Sequence, residues 1–274
     1  MVTERIYLEE NNDEVYIDTY ISNKIHDLKR SAILVIPGGG YAGVYTIREG
    51  EPIAQAFIPY GYNAFVMHYT TGKKKPYPAQ LIEVSKAIKH IKDNAEKYDI
   101  DPERVFVVGF SAGGHLTGSL ATMWHKKEIY DAVDMPFGYN KPTGAMMIYP
   151  VVCAQSDNDF SRTFEYLLCD ENASSSDLDK VAINNNVDEN TAPVFICHTS
   201  NDQMVSVKNS LLMAQALAEN GKQFEMHIFP DAPHGMALGN RITECLSECP
   251  DGKWNNVAMG KWVEHATTWA SSIK

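Results

Sequence analysis

Val105-Phe106-Val107-Val108-Gly109-Phe110-Ser111-Ala112-Gly113 is the stretch on which the reading of this chain turns. Four strand-forming residues run into G-x-S-x-G, and a helix-compatible segment follows to about Trp124. That setting, a strand that turns sharply into a helix, lifts a Ser Oγ clear of the backbone, and the small residues two positions either side permit the turn. By composition alone the three fixed positions would occur by chance in roughly one chain in ten of this length, so the flanking strand and helix carry most of the argument.

Outward from this turn, strand-like and helix-like segments alternate, the pattern of a mostly parallel sheet covered by helices on both faces. Ala32-Ile33-Leu34-Val35-Ile36 is apolar throughout, as suits a strand buried on both faces, and it stops at Pro37-Gly38-Gly39-Gly40-Tyr41. Upstream, Val15, Ile17 and Thr19 alternate with Tyr16, Asp18 and Tyr20, which predicts an antiparallel strand at the start of the sheet. A helix is expected from about Pro52 to Tyr60, then a strand over Ala64 to Tyr69. Leu81, Val84, Ile88 and Ile91 mark an amphipathic helix, and Ala145 to Tyr149 the strand after the central turn. The polar stretch 153–191 breaks the rhythm and reads as an insertion with short helices near 161–168. Strands resume at Pro193 to Cys197 and Phe224 to Phe229, separated by a helix from about Val207 to Asn220. A final helix holds Val257, Trp262, Val263 and Trp269. The total is about eight strands and six helices in a single domain over 1–274.

The chain has 274 residues, 44% hydrophobic and 22% charged, with a net charge of −11. This mixture excludes a disordered or collagen-like chain, and the negative balance disfavours nucleic acid and anionic lipid as partners. The apolar runs fall far short of the roughly 20 residues of a membrane helix. With no basic n-region at the start, the expectation is a cytoplasmic protein, or else the mature form of a processed one, with no membrane partner. Cys153, Cys169, Cys197, Cys245 and Cys249 read as free thiols; the Cys245/Cys249 pair has no further ligands close by, so no metal is expected. The oligomeric state is not readable, and a homodimer is left open.

A serine hydroxyl needs a positioned base, and that base an orienting carboxylate. For an elbow serine the partners follow in the order acid then His, on loops after strands. Asp202 follows the 193–197 strand in His198-Thr199-Ser200-Asn201-Asp202, and His234 follows the 224–229 strand in Pro230-Asp231-Ala232-Pro233-His234. Asp231 and Asp157 are the alternative acids. Among the other histidines, His26, His68, His90, His125, His227 and His265 read as structural or surface residues. His115, in the helix after Ser111, is expected to support the site, and His198 to pack beside the acid loop. The tetrahedral intermediate of acyl transfer also needs an oxyanion hole. Gly39 and Gly40 permit close backbone approach, and Ala112 N–H lies at the positive end of a helix. A phosphate-cradling loop would need G-x-G-x-x-G or Gly-Lys-Ser/Thr, and the sequence after Gly40 has neither.

Together, Val35-Ile36-Pro37-Gly38-Gly39-Gly40-Tyr41, Gly109-Phe110-Ser111-Ala112-Gly113-Gly114-His115-Leu116, Tyr77-Pro78-Ala79-Gln80 and the Asp202/His234 placements resemble the α/β-hydrolase superfamily. The resemblance, narrower still to its acetyl-esterase and xylan-deacetylase-like branch, spans roughly 30–270. Pro37 stands where the neighbouring lipase-like branch has His. The resemblance implies an α/β-hydrolase fold with an eight-stranded, mostly parallel sheet and a small cap at about 153–191. It further implies nucleophile Ser111, acid Asp202, base His234, and oxyanion donors Gly39, Gly40 and Ala112, with no cofactor. The expected activity is serine-dependent hydrolysis of small, short-acyl (acetyl) carboxylic esters, acetylated sugars among them. A Ser-His-Asp site does not cleave glycosidic bonds, which take a pair of carboxylates. The alternatives are a peptidase or amidase with the same triad, and a small-molecule binding protein on a hydrolase scaffold. Tyr41 and Phe110 are expected to line the substrate site, with Tyr45, Phe137, Tyr139 and Phe160 as further aromatic candidates.

Overall fold

Strands β3 (Arg30–Ile36) and β5 (Ile100–Phe110) lie side by side in parallel at the centre of the sheet, because their apolar residues are buried on both faces. The structure is a computed structural model and describes residues 3–24, 28–154, 161–244 and 256–273. His26, Asp157, Phe160 and the Cys245/Cys249 pair lie outside the described residues.

The sheet has eight strands. β1 (Arg5–Glu9), β2 (Asn12–Tyr20) and β4 (Tyr62–His68) pair antiparallel in that order. β4 then runs parallel to β3, and β5, β6 (Gly144–Ile148), β7 (Val194–Thr199) and β8 (Phe224–Phe229) continue parallel. The expected antiparallel start is β2, whose Val15, Ile17 and Thr19 are buried. β1 carried no clear signal, since a five-residue edge strand with one covered face buries too little to show a pattern.

Strand alternation divides the core in two. Ala32, Leu34, Ile36, Val105 and Val107 face one side, packing on α3 (Ala79–Asp93) and α4 (Ala112–Met123). Ile33, Val35, Phe106, Val108 and Phe110 face the other, with α2 (Glu51–Phe57) and α10 (Trp262–Ser272). Each fully buried aliphatic or aromatic side chain here contributes about 1.5–3 kcal/mol. Shorter segments not anticipated from the sequence are α1 (Thr46–Glu49), α5 (Lys127–Ala132) and α7 (Ser175–Val181), and the expected final helix is divided into α9 (Val257–Gly260) and α10. Helices of one or two turns have too few periodic positions to be read from sequence. The described part of 153–191 holds α6 (Ser161–Leu168) and α7, and it lies against α4. His115 Nε2–H donates to Val181 O at 2.8 Å, and the Phe164 ring meets His115 edge-on at 5.3 Å.

Register sets up the site. Gly109 of β5 is level with Ile36 of β3, and Phe110 is level with Ile148 of β6, so the glycine loop after β3 and the turn at Ser111 emerge at one sheet edge. Gly113 makes this possible. A Cβ there would lie 2.1 Å from Ile36 O and 2.5 Å from Pro37 O, because α4 begins directly against the end of β3. Alanine is worth about 1 kcal/mol more than glycine inside a helix, yet overlap with backbone that cannot yield outweighs it. Gly113→Ala is expected to lower the unfolding free energy by about 3 kcal/mol, read as a shift in the urea midpoint. An unchanged midpoint would contradict the packing described.

Candidate active site

Ser111 sits between β5 and α4 with φ +53° and ψ −117°, a strained backbone conformation for a non-glycine residue. The strain is held by its surroundings: Ser111 N–H donates to Ile148 O at 3.1 Å, and Ser111 O accepts from His115 N and Val151 N at 3.1 Å each. Gly109 lets the turn close, since a Cβ on it would meet Thr117 Oγ1 at 2.1 Å and Gly113 O at 2.2 Å.

Asp202 and His234 reach Ser111 from the ends of β7 and β8. Thr199 pairs with Phe229, which sets the two following loops side by side. They are tied by Ser200 N–H to Phe229 O at 2.8 Å and Thr199 Oγ1–H to Ala232 O at 3.0 Å. Asp202 Oδ2 accepts from His234 Nδ1 at 2.7 Å, and His234 Nε2 lies 2.9 Å from Ser111 Oγ. A carboxylate only accepts, so the proton on His234 sits on Nδ1 and leaves the Nε2 lone pair facing the serine hydroxyl. The alternative acid Asp231 is engaged instead by Asn201 Nδ2.

Asp202 is fully satisfied. Oδ1 accepts from Met204 N and Val205 N at 2.9 Å each, and Oδ2 accepts from His234 and, at 3.3 Å, from His198 Nε2. Burial opposes the charge, but the hydrogen bonds from His198 and His234 outweigh it and hold the carboxyl below the usual range. His198 also donates Nε2–H to Val205 O at 3.0 Å and accepts at Nδ1 from Ser210 Oγ at 2.8 Å. It supports the acid loop, as its position in sequence implied.

The cleft holds about 440 Å³ and is lined by Gly39, Gly40, Tyr45, Arg48, Glu49, Ser111, Met204, His234 and Gly235. Ala112 is the first residue of α4, so its N–H has no intrahelical acceptor and carries the positive end of the helix dipole. Gly39 has φ +127°, and a Cβ there would lie 2.3 Å from Gly43 O, so only glycine allows this loop to fold as it does. Gly38 differs from its two neighbours: its N–H already donates to Glu49 Oε2 at 2.8 Å. Gly39 and Gly40 thus line the cleft with Ser111, and Ala112 follows Ser111 in the chain, whereas the Gly38 N–H is held by Glu49.

Two expected lining residues are corrected. Phe110 is fully buried, packed on Tyr149 and Trp262 with ring centroids 5.8 Å from each, because strand alternation sends it to the α10 side with Phe106 and Val108. Tyr41 is 1% exposed; its hydroxyl donates to His115 Nδ1 at 2.9 Å, so the ring points down into the core beneath the glycine loop. Burial pulls the His115 imidazole down to about 4, which leaves it neutral and able to accept that bond. Of the other aromatic candidates described, Tyr45 lines the cleft, whereas Phe137 packs on Trp124 and Tyr130, and Tyr139 donates to Asp93. Arg48, Glu49, Met204 and Gly235 were not anticipated, since no motif marks them.

The fold and the serine elbow define an α/β-hydrolase. Residues 17–217 match the BD-FAE family, and residues 179–265 match the dienelactone hydrolase family. The chain belongs to the BD-FAE family, in the acetyl-esterase-like branch of the α/β-hydrolases. It is 37% identical over 223 residues to endo-1,4-beta-xylanase B of Butyrivibrio fibrisolvens, a match covering 78% of this chain and 34% of that protein. To the acetylxylan esterase of Xylanibacter ruminicola it is 26% identical over 214 residues, covering 76% of this chain and 41% of that one. The chain thus spans well under half the length of either relative. Among solved structures it is similar to an acetyl ester-xyloside bifunctional hydrolase from Caldicellulosiruptor lactoaceticus, at 30% identity and a TM-score of 0.82, covering 98% of this chain and 96% of that one. Among the described residues, no helix is long and apolar enough to cross a membrane.

Proposed function

We propose that this chain is a serine carboxylic-ester hydrolase acting on small, short-acyl esters, acetyl esters foremost, through an acyl-enzyme on Ser111. The observation that carries the reading is the unbroken hydrogen-bond path from Asp202 to His234 to Ser111 Oγ at 2.7 and 2.9 Å, opening into a cleft beside Gly39 and Gly40. Ser111 Oγ attacks the ester carbonyl while His234 Nε2 takes its proton, and Asp202 stabilises the imidazolium that forms. The N–H groups of Ala112, Gly39 and Gly40 receive the oxyanion, each donor lowering the barrier by about 3 kcal/mol. His234 then protonates the departing alcohol, and water repeats the sequence in reverse to release the acid.

The cleft supports a short acyl group. Tyr45 and Met204 supply apolar surface beside Ser111, in a volume at the small end of ligand pockets. The named relatives include an acetylxylan esterase and an acetyl ester-xyloside hydrolase, which supports acetylated sugars as the natural class. A panel of p-nitrophenyl esters from acetate to octanoate, acetylated xylo-oligosaccharides and aminoacyl anilides tests the reading. The expected result is highest kcat/KM on acetate, release of acetate from the oligosaccharides, and no anilide cleavage. A preference for anilides, or no hydrolysis of any ester, would overturn it.

A further inference from the structure

Glu49 is buried at the floor of the cleft, yet it is neither part of the triad nor an oxyanion donor. Its Oε2 accepts the Gly38 N–H at 2.8 Å and its Oε1 accepts the Tyr149 hydroxyl at 2.9 Å. The Tyr149 oxygen in turn accepts the Ala237 N–H at 3.0 Å, three residues beyond His234. The Tyr149 ring also stands edge-on to the His234 imidazole, centroids 5.0 Å apart.

Tyr149 follows β6 with φ +37°, a conformation that costs an aromatic residue energy and is found where surrounding contacts enforce it. Its N–H is fixed to Cys197 O at 2.6 Å on the strand that leads to Asp202. Burial pushes the Glu49 carboxyl up, while the bonds from Gly38 and Tyr149 pull the other way. A buried carboxyl group carries a desolvation cost that an apolar side chain of the same volume would avoid. An apolar side chain would fill the space but accept neither bond.

We propose that Glu49 is a positioning residue: through Gly38 N–H and Tyr149 O–H it holds the glycine loop that carries Gly39 and Gly40 in register with the loop that carries His234. The inference rests on the ester-hydrolase reading. Oxyanion binding and proton transfer must be aligned at the same moment, and these two loops belong to segments about 190 residues apart in the chain. The Glu49–Tyr149 bridge links them without touching the substrate's reacting atoms.

The test is steady-state hydrolysis of p-nitrophenyl acetate by wild type, Ser111→Ala, Glu49→Ala, Glu49→Gln, Tyr149→Phe and the Glu49→Ala/Tyr149→Phe double variant. Misplacing a catalytic array by about 1 Å costs up to about a hundredfold. Glu49→Ala and Tyr149→Phe should therefore each lower kcat by about ten- to a hundredfold, with KM within about twofold of wild type. Because the two residues act as one unit, the double variant should be no slower than Glu49→Ala. Glu49→Gln keeps an acceptor for Gly38 N–H and should fall nearer to wild type. If kcat of Glu49→Ala and Tyr149→Phe stays within twofold of wild type, or their losses multiply, the proposal is overturned while Ser111-dependent hydrolysis stands. Should Glu49→Ala fail to fold, Tyr149→Phe, which removes one oxygen, decides the matter alone. Wild type without Ser111-dependent hydrolysis would instead overturn the ester-hydrolase reading and this proposal with it.

Discussion

Ser111→Ala is expected to lower kcat for p-nitrophenyl acetate by about 10⁴- to 10⁶-fold, the largest effect of any single substitution in this chain. The change removes one oxygen and leaves the fold intact, since the turn is held by backbone bonds from Ser111 N to Ile148 O and from His115 N to Ser111 O. Without Oγ, His234 has no hydroxyl to deprotonate and no covalent intermediate forms. What persists comes from the proposed Gly39, Gly40 and Ala112 donors holding the ester oxygen while water attacks the carbonyl, worth about 10³- to 10⁴-fold over the uncatalysed rate. Thermal melting should match wild type, which separates loss of chemistry from loss of structure.

Asp202→Asn is expected to cost about 10⁴-fold in kcat, for a different reason. Met204 N–H and Val205 N–H both point at Oδ1, so the asparagine must keep its carbonyl oxygen there and turn its NH₂ toward His234 and His198. That NH₂ donates to Nδ1 of His234, which moves the imidazole proton to Nε2, where it faces the Ser111 hydroxyl as a second donor. The base is then in the wrong tautomer. In wild type the hydrogen bonds from His198 and His234 overcome burial and keep the carboxyl charged to well below the usual range. The acid limb of a wild-type pH–rate profile is therefore not set by Asp202. Asp202→Asn activity within tenfold of wild type at neutral pH would show that the acid does not orient His234.

The line from sequence to site is direct for Ser111, Asp202 and His234. The parallel register places the carboxyl ends of β5, β7 and β8 at one edge, so residues that follow those strands converge there whatever their separation in sequence. Local rules sufficed for Gly109 and Gly113, whose missing Cβ atoms are demanded by backbone a few ångström away. Phe110 is adjacent to Ser111 in sequence but not in the cleft, because the period-two rule puts it on the same face as Phe106 and Val108. Tyr41 leaves the cleft because its φ of +56° reverses the chain and brings the ring onto His115, and nothing in Gly40-Tyr41-Ala42 announces a positive φ at a tyrosine. Glu49 was invisible for a further reason. Its partners, Gly38 and Tyr149, lie on separate segments, the latter 100 residues away, and a buried carboxylate in a four-residue helix matches no pattern of period or motif.

The account depends most on Ser111 being a nucleophile activated by His234. Diethyl p-nitrophenyl phosphate, followed by intact mass measurement and peptide mapping, tests this directly. The account predicts one diethylphosphoryl group per chain, on Ser111, with loss of ester hydrolysis in step with labelling and no adduct on Ser111→Ala. An unlabelled Ser111 in a protein that still hydrolyses esters, or stoichiometric labelling at another residue, would contradict it.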